Sequence, residues 1–295
     1  MEKAEQHGVI GVSRLDPAER MAVEALLACC KQQEGIDLPL GLEPHAADLD
    51  QPSAESLDQF LAYEHGALVG FARLEGWEEP ELCAVVHPDH RRKGVGQALL
   101  SSAHSECRRR GEQTLVLVCD QAIASGPAFA AGVGAIFRFA EYRMVLDPAA
   151  IDRSQPRLAE LRLQPATAAD TETLVRIQAV AFGDSESAVR QHVTQGLSMA
   201  NRQYYIGMLG AEPAGSMRIG RYREEADVTA FGVLPMYQGR GYGRQMLRDA
   251  IEILVAEAWP QIVIDVVTEN RNALKLYQSC GFRETTTYGF YYLGV

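Results

Sequence analysis

The chain has 295 residues, 47% hydrophobic and 23% charged. That composition is ordinary for a soluble globular protein, excludes a disordered one, and fits about two domains of roughly 150 residues each. The net charge of −11 argues against a nucleic-acid-binding surface. No apolar run reaches a membrane span and Met1-Glu2-Lys3-Ala4-Glu5-Gln6-His7 lacks a signal-peptide core, so the expected location is cytoplasmic, without a membrane partner.

The first half opens with a strand at residues 9–13 and a helix at about 17–31, where Asp16 and Glu19 form a capping-box pattern and Pro17 takes the first helical position. A Pro/Gly/Asp-rich loop is expected over 35–53. A hairpin follows, 59–64 and 67–74, turning at His65-Gly66. A strand at 81–86 leads into Arg91-Arg92-Lys93-Gly94-Val95-Gly96. The next helix places Leu100, Ala103, His104 and Cys107 at i, i+3, i+4, i+7 spacing, and 114–119 is a continuous apolar strand.

Residues 148–160 have the composition of a linker, and the order then restarts. A strand at 161–164 precedes a helix at 168–182 with Leu174, Ile177 and Ala181 inward. A hairpin spans 203–209 and 214–219. A strand at 227–233 runs into Gln238-Gly239-Arg240-Gly241-Tyr242-Gly243, and Leu247, Ile251, Leu254 and Val255 mark the apolar face of the following helix. Then come a strand at 261–267, a short helix at 272–279 and an aromatic-rich strand at 285–293.

The two glycine loops lie 147 residues apart without a gap, and the offset also sets Gly134 on Gly281. A whole domain is therefore repeated: 1–147, a linker at 148–160, and 161–295. Each copy reads as an α/β (α+β) domain with a strand–loop–helix unit at its centre. A glycine loop at a helix N-terminus presents free N–H groups, a ready anion site. Charge is unevenly shared, since residues up to 147 hold 13 basic and 23 acidic side chains and the remainder 15 and 16. The six cysteines form no C-x-x-C pair and the seven histidines show no ligand spacing, so reduced thiols and no metal are expected.

Strand, proline, loop, amphipathic helix, buried strand and then Asn270-Arg271-Asn272-Ala273-Leu274-Lys275-Leu276-Tyr277-Gln278-Ser279-Cys280-Gly281-Phe282 form an ordered set that resembles the GNAT superfamily of acyl-CoA-dependent N-acyltransferases. The second half matches every landmark; the first matches the loop, the helix and the terminal glycine. The resemblance implies two tandem GNAT-like domains, each with a mixed, mostly antiparallel central sheet flanked by helices. It implies acetyl-CoA as co-substrate, its pyrophosphate held by Gln238, Gly239, Arg240, Gly241, Tyr242, Gly243 and Arg244, and in the first copy by Arg91, Arg92, Lys93, Gly94, Val95 and Gly96. Its pantetheine would lie along the strand at 227–233, with the thioester carbonyl near an N–H at Val233 or Leu234.

By the same resemblance Tyr277 protonates the departing thiolate, and Asn272 touches the coenzyme besides capping its helix. An amine nucleophile needs a base, for which Asp227, Glu225 and Glu224 are candidates; alternation sets Asp227 and Thr229 on one face. Tyr288, Tyr291 and Tyr292 either line the acceptor pocket or belong to the core. At the offset positions Ala130 stands for Tyr277 and Ser125 for Asn272, so the first copy is expected to be degenerate and the second catalytic. The expected enzyme is an N-acetyltransferase acting on a primary amine of a small molecule or peptide by direct attack in a ternary complex. A non-catalytic acyl-CoA sensor, or a transferase of another acyl group, are the alternatives. The tandem form also resembles mycothiol synthase, which acetylates a cysteinyl amine, but the C-terminal loop and tail match too loosely to assign that acceptor.

Overall fold

Local chemistry sets the elements where the sequence predicts them. In the computed structural model, which describes residues 7–35, 38, 40, 57–76, 79–152, 154, 157–158, 160–222 and 224–295, helix α1 (Pro17–Glu34) starts on a complete capping box. The Asp16 carboxylate accepts from the N–H groups of Ala18 and Glu19, and the Glu19 carboxylate accepts from Asp16 N–H. After β1 (Gly8–Val12), strands β2 (Gln59–Glu64) and β3 (Ala67–Glu75) form the predicted hairpin. His65 and Gly66 both have positive φ, 50° and 80°, the two-residue turn that suits strand twist. The loop expected at 35–53 lies for the most part outside the described residues.

The chain divides into two units, Met1–Ala140 with Thr286–Val295, and Glu141–Thr285. The first has strand order β1-β2-β3-β4-β5-β12, with β4 (Glu81–Val86), β5 (Thr114–Asp120) and the end of β12 (Phe282–Gly294). Its neighbours are antiparallel except β4 and β5, which run parallel and pair only at Glu81–Val116 and Leu82–Leu117 before diverging. Side chains alternate faces. Phe60, Leu115 and Leu117 pack on α2 (Val95–Arg110) and α3 (Ser125–Gly132), while Leu61, Val116 and Val118 pack on α1. The buried stripe of α2 contains Leu100, Ala103 and Cys107, as the spacing predicts, and also Glu106, held by Arg109, Arg110 and Leu57 N–H; His104 is only half-buried, its ring 3.0 Å from Gly294 O.

The second unit repeats the plan as β6-β11-β10-β9-β8-β7. It uses the end of β6 (Ile136–Leu146), then β7 (Leu161–Pro165), β8 (Arg202–Leu209), β9 (Glu212–Arg221), β10 (Glu225–Val233) and β11 (Gln261–Val267). Helices α4 (Thr171–Phe182) and α5 (Glu186–Ser198) cover one face, with Leu174, Ile177 and Val193 against Tyr204 and Ile206. Helices α6 (Tyr242–Ala256) and α7 (Arg271–Ser279) cover the other, with Leu247, Ile251, Leu254 and Leu274 against Val228, Ile262, Ile264 and Val266. Helices α3 and α5 and strand β6 were not anticipated.

The final strands are exchanged. Residues 141–145 of β6, from the first half of the sequence, pair antiparallel with β11. Residues 288–294 of β12, from the second half, pair antiparallel with β5. Each unit is a mixed, mostly antiparallel sheet with helices on both faces. Among the described residues no helix is long and apolar enough to cross a membrane.

Candidate active site

In the second unit β10 and β11 run parallel through Glu225–Gln261, Ala226–Ile262 and Asp227–Val263, then part. Past that point β10 carries a bulge between Thr229 and Gly232, with Ala230 at φ 47°, an uncommon conformation for a residue with a Cβ. Leu234 N–H donates to Ala214 O at 2.8 Å. Hydrogen-bonding direction alternates along a strand, so the Val233 N–H turns away from β9 toward the divergence. Of the two amides singled out for a thioester carbonyl, Leu234 is engaged and Val233 is the one that faces the gap. The strand ends in the turn Pro235–Tyr237, and Gln238 reaches back to donate to Val233 O at 2.9 Å.

Gly239 and Gly241 take φ 72° and 85°, which open the turn into the N-terminus of α6. A Cβ on Gly243 would meet Val233, Leu276 and Phe231 at ordinary contact distance, so the start of the helix lies close to the strand end and α7. Arg240 is exposed, Arg244 Nε donates to Ser279 Oγ at 3.2 Å, and Tyr242 packs edge-on to Tyr237. Asn270, not Asn272, caps α7, accepting from Ala273 N–H at 3.1 Å; Asn272 lies inside the first turn and is exposed.

Tyr277 is buried on α7, its ring stacked 6.2 Å from Phe231 on the diverging strand and tilted against Phe282. Burial, with the charge of Asp265 and Cys280 adding to it, raises the phenol well above its ordinary pKa. On the sheet face away from α6 and α7 stand Glu225, Asp227 and Asp265. Glu225 accepts from Arg143 Nη2 through both oxygens at 2.6 Å. Asp227 Oδ1 accepts from Gly220 N–H at 2.8 Å, and burial raises its pKa against the lowering influence of Arg218 and that hydrogen bond. Thr229 takes Arg218 Nε on the same face, and Glu224 is exposed.

Asp265 and Arg143 were not anticipated. Asp265 is the one charge in the apolar run of β11, a placement that is expensive and therefore a legible signal. Arg143 had none, because it reaches this unit on the exchanged strand. That exchange also carries Tyr288, Tyr291 and Tyr292 into the first unit. Their segment pairs with β5 in the first unit, where Tyr288 and Tyr291 are core and Tyr292 donates to Glu79 at 2.6 Å.

The first unit has a cleft at the matching place. Beyond Leu82 and Leu117 a cavity of about 420 Å³ opens, lined by Ala84, Val86, Leu100, Cys119 and Phe129 and bounded by Arg92 and Gly94. Arg92 and Gly94 have φ 61° and 89°, the pattern of Gly239 and Gly241. Arg91 Nε donates to Val86 O at 3.0 Å, as Gln238 does to Val233 O, and its other arm is paired with Glu34. Lys93 is exposed and Val95 buried. Strand β4 has no bulge, pairing with β3 continuously from Gly70–Val86 to Glu75–Glu81. Ala130 is fully buried at the place of Tyr277, and burial pushes the Cys119 thiol up to about 12.

The profile of the Acetyltransferase (GNAT) family matches residues 171–282, and that of the Acetyltransferase (GNAT) domain matches residues 56–148, together more than half of the sequence. The chain belongs to the GNAT acetyltransferase family. Over 295 aligned positions it is 28% identical to a mycothiol acetyltransferase of Thermobispora bispora, covering 92% of this chain and 95% of that one. Among solved structures, a GCN5-related N-acetyltransferase from Sphaerobacter thermophilus shares the tandem fold at TM-score 0.75 and 15% identity, over 97% of this chain and 95% of that one. A tandem GNAT protein from the clavulanic acid biosynthesis pathway does so at TM-score 0.74 and 19% identity, over 97% and 98%. The GNAT assignment makes the chain an acetyltransferase, with two GNAT domains in tandem.

Proposed function

We propose that the second unit moves the acetyl group of acetyl-CoA to a primary amine of a small molecule or peptide by direct attack in a ternary complex. The observation that carries this reading is Tyr277: a buried phenol beside Phe231, past the divergence of β10 and β11, on the helix that abuts the glycine loop. The residues fit acetyl-CoA as substrate. Gly239, Gly241 and Gly243 bring the first N–H groups of α6 to the pyrophosphate, with Gln238, Arg240, Tyr242 and Arg244 around them. Val233 N–H polarises the thioester carbonyl. Asn272, exposed on the first turn of α7, contacts the coenzyme. Tyr277 gives its proton to the departing sulfur; burial, which raises its pKa, keeps the phenol protonated at rest.

The amine enters over the face that carries Glu225 and Asp227. The name of the Thermobispora relative supports a small-molecule acceptor. The first unit, with Arg91 to Gly96 at its cleft and Ala130 where the acid would be, holds acyl-CoA without turning it over.

The test is CoA release from acetyl-CoA, followed chromatographically, across polyamines, amino sugars, peptides and a cysteinyl amine. Tyr277→Phe is expected to lower turnover by about 10²–10⁴-fold while acetyl-CoA binding holds. Unchanged turnover removes Tyr277 from the mechanism. Acetyl-CoA binding with no release for any amine favours the sensor reading or another acyl group.

A further inference from the structure

Three carboxylates share the acceptor face of the second unit, and their surroundings give them different work. Glu225 is committed, since both of its oxygens hold Arg143. Asp227 is half committed, its Oδ1 fixed by Gly220 N–H inside the last parallel pair of β10 and β11. Asp265 is different. It is the first residue on this face of β11 beyond the Asp227–Val263 pair, where the strands have already parted. Its Oδ2 lies 3.4 Å from Arg143 Nη1, a long contact to a guanidinium that Glu225 already holds more tightly. Its Oδ1 is buried and, among the described residues, has no hydrogen-bond partner, while the side chain as a whole is 33% exposed. A buried carboxylate oxygen left unpaired is costly, and a native site tolerates it where a ligand supplies the donor.

We propose that Asp265 is the catalytic base, the group that takes a proton from the acceptor's ammonium. The proposal rests on the transferase reading of this unit. The Asp265 carboxylate accepts one N–H proton, leaving a neutral amine whose lone pair forms the new N–C bond to the acetyl carbon. The C–S bond breaks, and the departing sulfur takes the Tyr277 proton. The amide nitrogen's surplus proton restores the Tyr277 phenol, and Asp265 passes its own to water, so that one amine and one thioester give one amide and one thiol.

The groups around Asp265 agree with this division. Arg143 from β6 faces it, Glu225 and Asp227 from β10 lie beside it, and Tyr277 from α7 is close enough to feel its charge. Helix α4, which packs over this face, directs Glu172 outward to Arg190 and leaves Arg176 exposed. Burial, reinforced by Asp227 and Glu225 and opposed by Arg143, raises the Asp265 pKa to about 6, close to the working range of a base at neutral pH.

The test compares two amines of one shape. Ethylamine is an ammonium at neutral pH; trifluoroethylamine, its basicity withdrawn by fluorine, is largely unprotonated. With the full chain and acetyl-CoA, Asp265→Asn is expected to lose about 10²–10⁴-fold in rate with ethylamine and little with trifluoroethylamine. Asp227→Asn and Glu225→Gln are expected to lower both rates alike. Retained transfer to trifluoroethylamine also shows that Asp265→Asn folds. Equal losses on both amines, or none, overturn the assignment to Asp265 while leaving the transferase reading intact. A wild-type chain that acetylates neither amine nor any member of the wider panel overturns the transferase reading, and Asp265 falls with it.

Discussion

At the scale of single residues, the site is a packing problem around buried charge. A Cβ on Gly220 would run into Asp227 Oδ1, the atom its own N–H holds in place. Gly220→Ala therefore pushes the carboxylate aside and breaks that hydrogen bond. It is expected to destabilise the fold by about 1–3 kcal/mol, as overpacking does, and to lower transfer as well. Denaturant unfolding and a rate assay read the two effects. Asp265 has a signature of its own. Its pKa is raised from 3.8 to about 6 in the folded chain. A carboxyl whose pKa rises on folding favours the folded state below its unfolded pKa, and that contribution is lost as pH climbs through the folded one. Asp265→Asn should therefore melt higher than the wild type above pH 6, with the gap narrowing toward pH 4. A constant gap would mean the substitution acts through packing instead of charge.

At the scale of elements, the glycine loops were legible and their differences only partly so. The 147-residue offset sets Arg92 on Gly239 and Gly94 on Gly241, and the structure gives the matching positions the same left-handed backbone. The hairpin at His65-Gly66 and the capping box at Asp16 were legible for a similar reason, because each is fixed by two or three adjacent residues. The bulge in β10 was not. It depends on the register against β9, which no local pattern encodes. Asn270 took the cap expected of Asn272 because either asparagine satisfies the pattern and only the start of α7 decides between them. Helix α5 went unread, although Ser185 caps it by accepting from Ala188 N–H. The loops also support a measurement. If both clefts hold acetyl-CoA, calorimetry on the full chain should give two sites per chain. Adding a Cβ at Gly94 or Gly241, both near φ 85–89°, costs roughly 1–2 kcal/mol of backbone strain where the first N–H groups must converge. Gly241→Ala should weaken the site coupled to turnover, and Gly94→Ala the silent one.

At the scale of the whole molecule, the sequence repeat shows two copies of one architecture but not which copy each last strand joins. Residues 136–146 and 283–293 occupy the same place in their halves, so either could complete its own sheet or the other's. The structure takes the second course, and this brings Arg143 from the first half to Glu225 and Asp265 in the second. The site is thus built from both halves of the sequence, and each half depends on the other for a central strand. Without residues 286–295, β5 becomes an open edge and the core loses Tyr288, Phe290 and Tyr291. Without residues 141–146, β11 is the edge, and Glu225 and Asp265 lose their cation. The consequence is testable by inserting a protease site within 148–160 and cutting the folded chain. The fragments should elute together under native conditions, keep their activity, and separate only in denaturant. Expressed alone, 1–147 should aggregate, and 161–295 should be unstable and nearly inactive until the first fragment is supplied. Two folded, independent halves after cutting would show that each copy can take back its own last strand, and that Arg143 is dispensable to the fold.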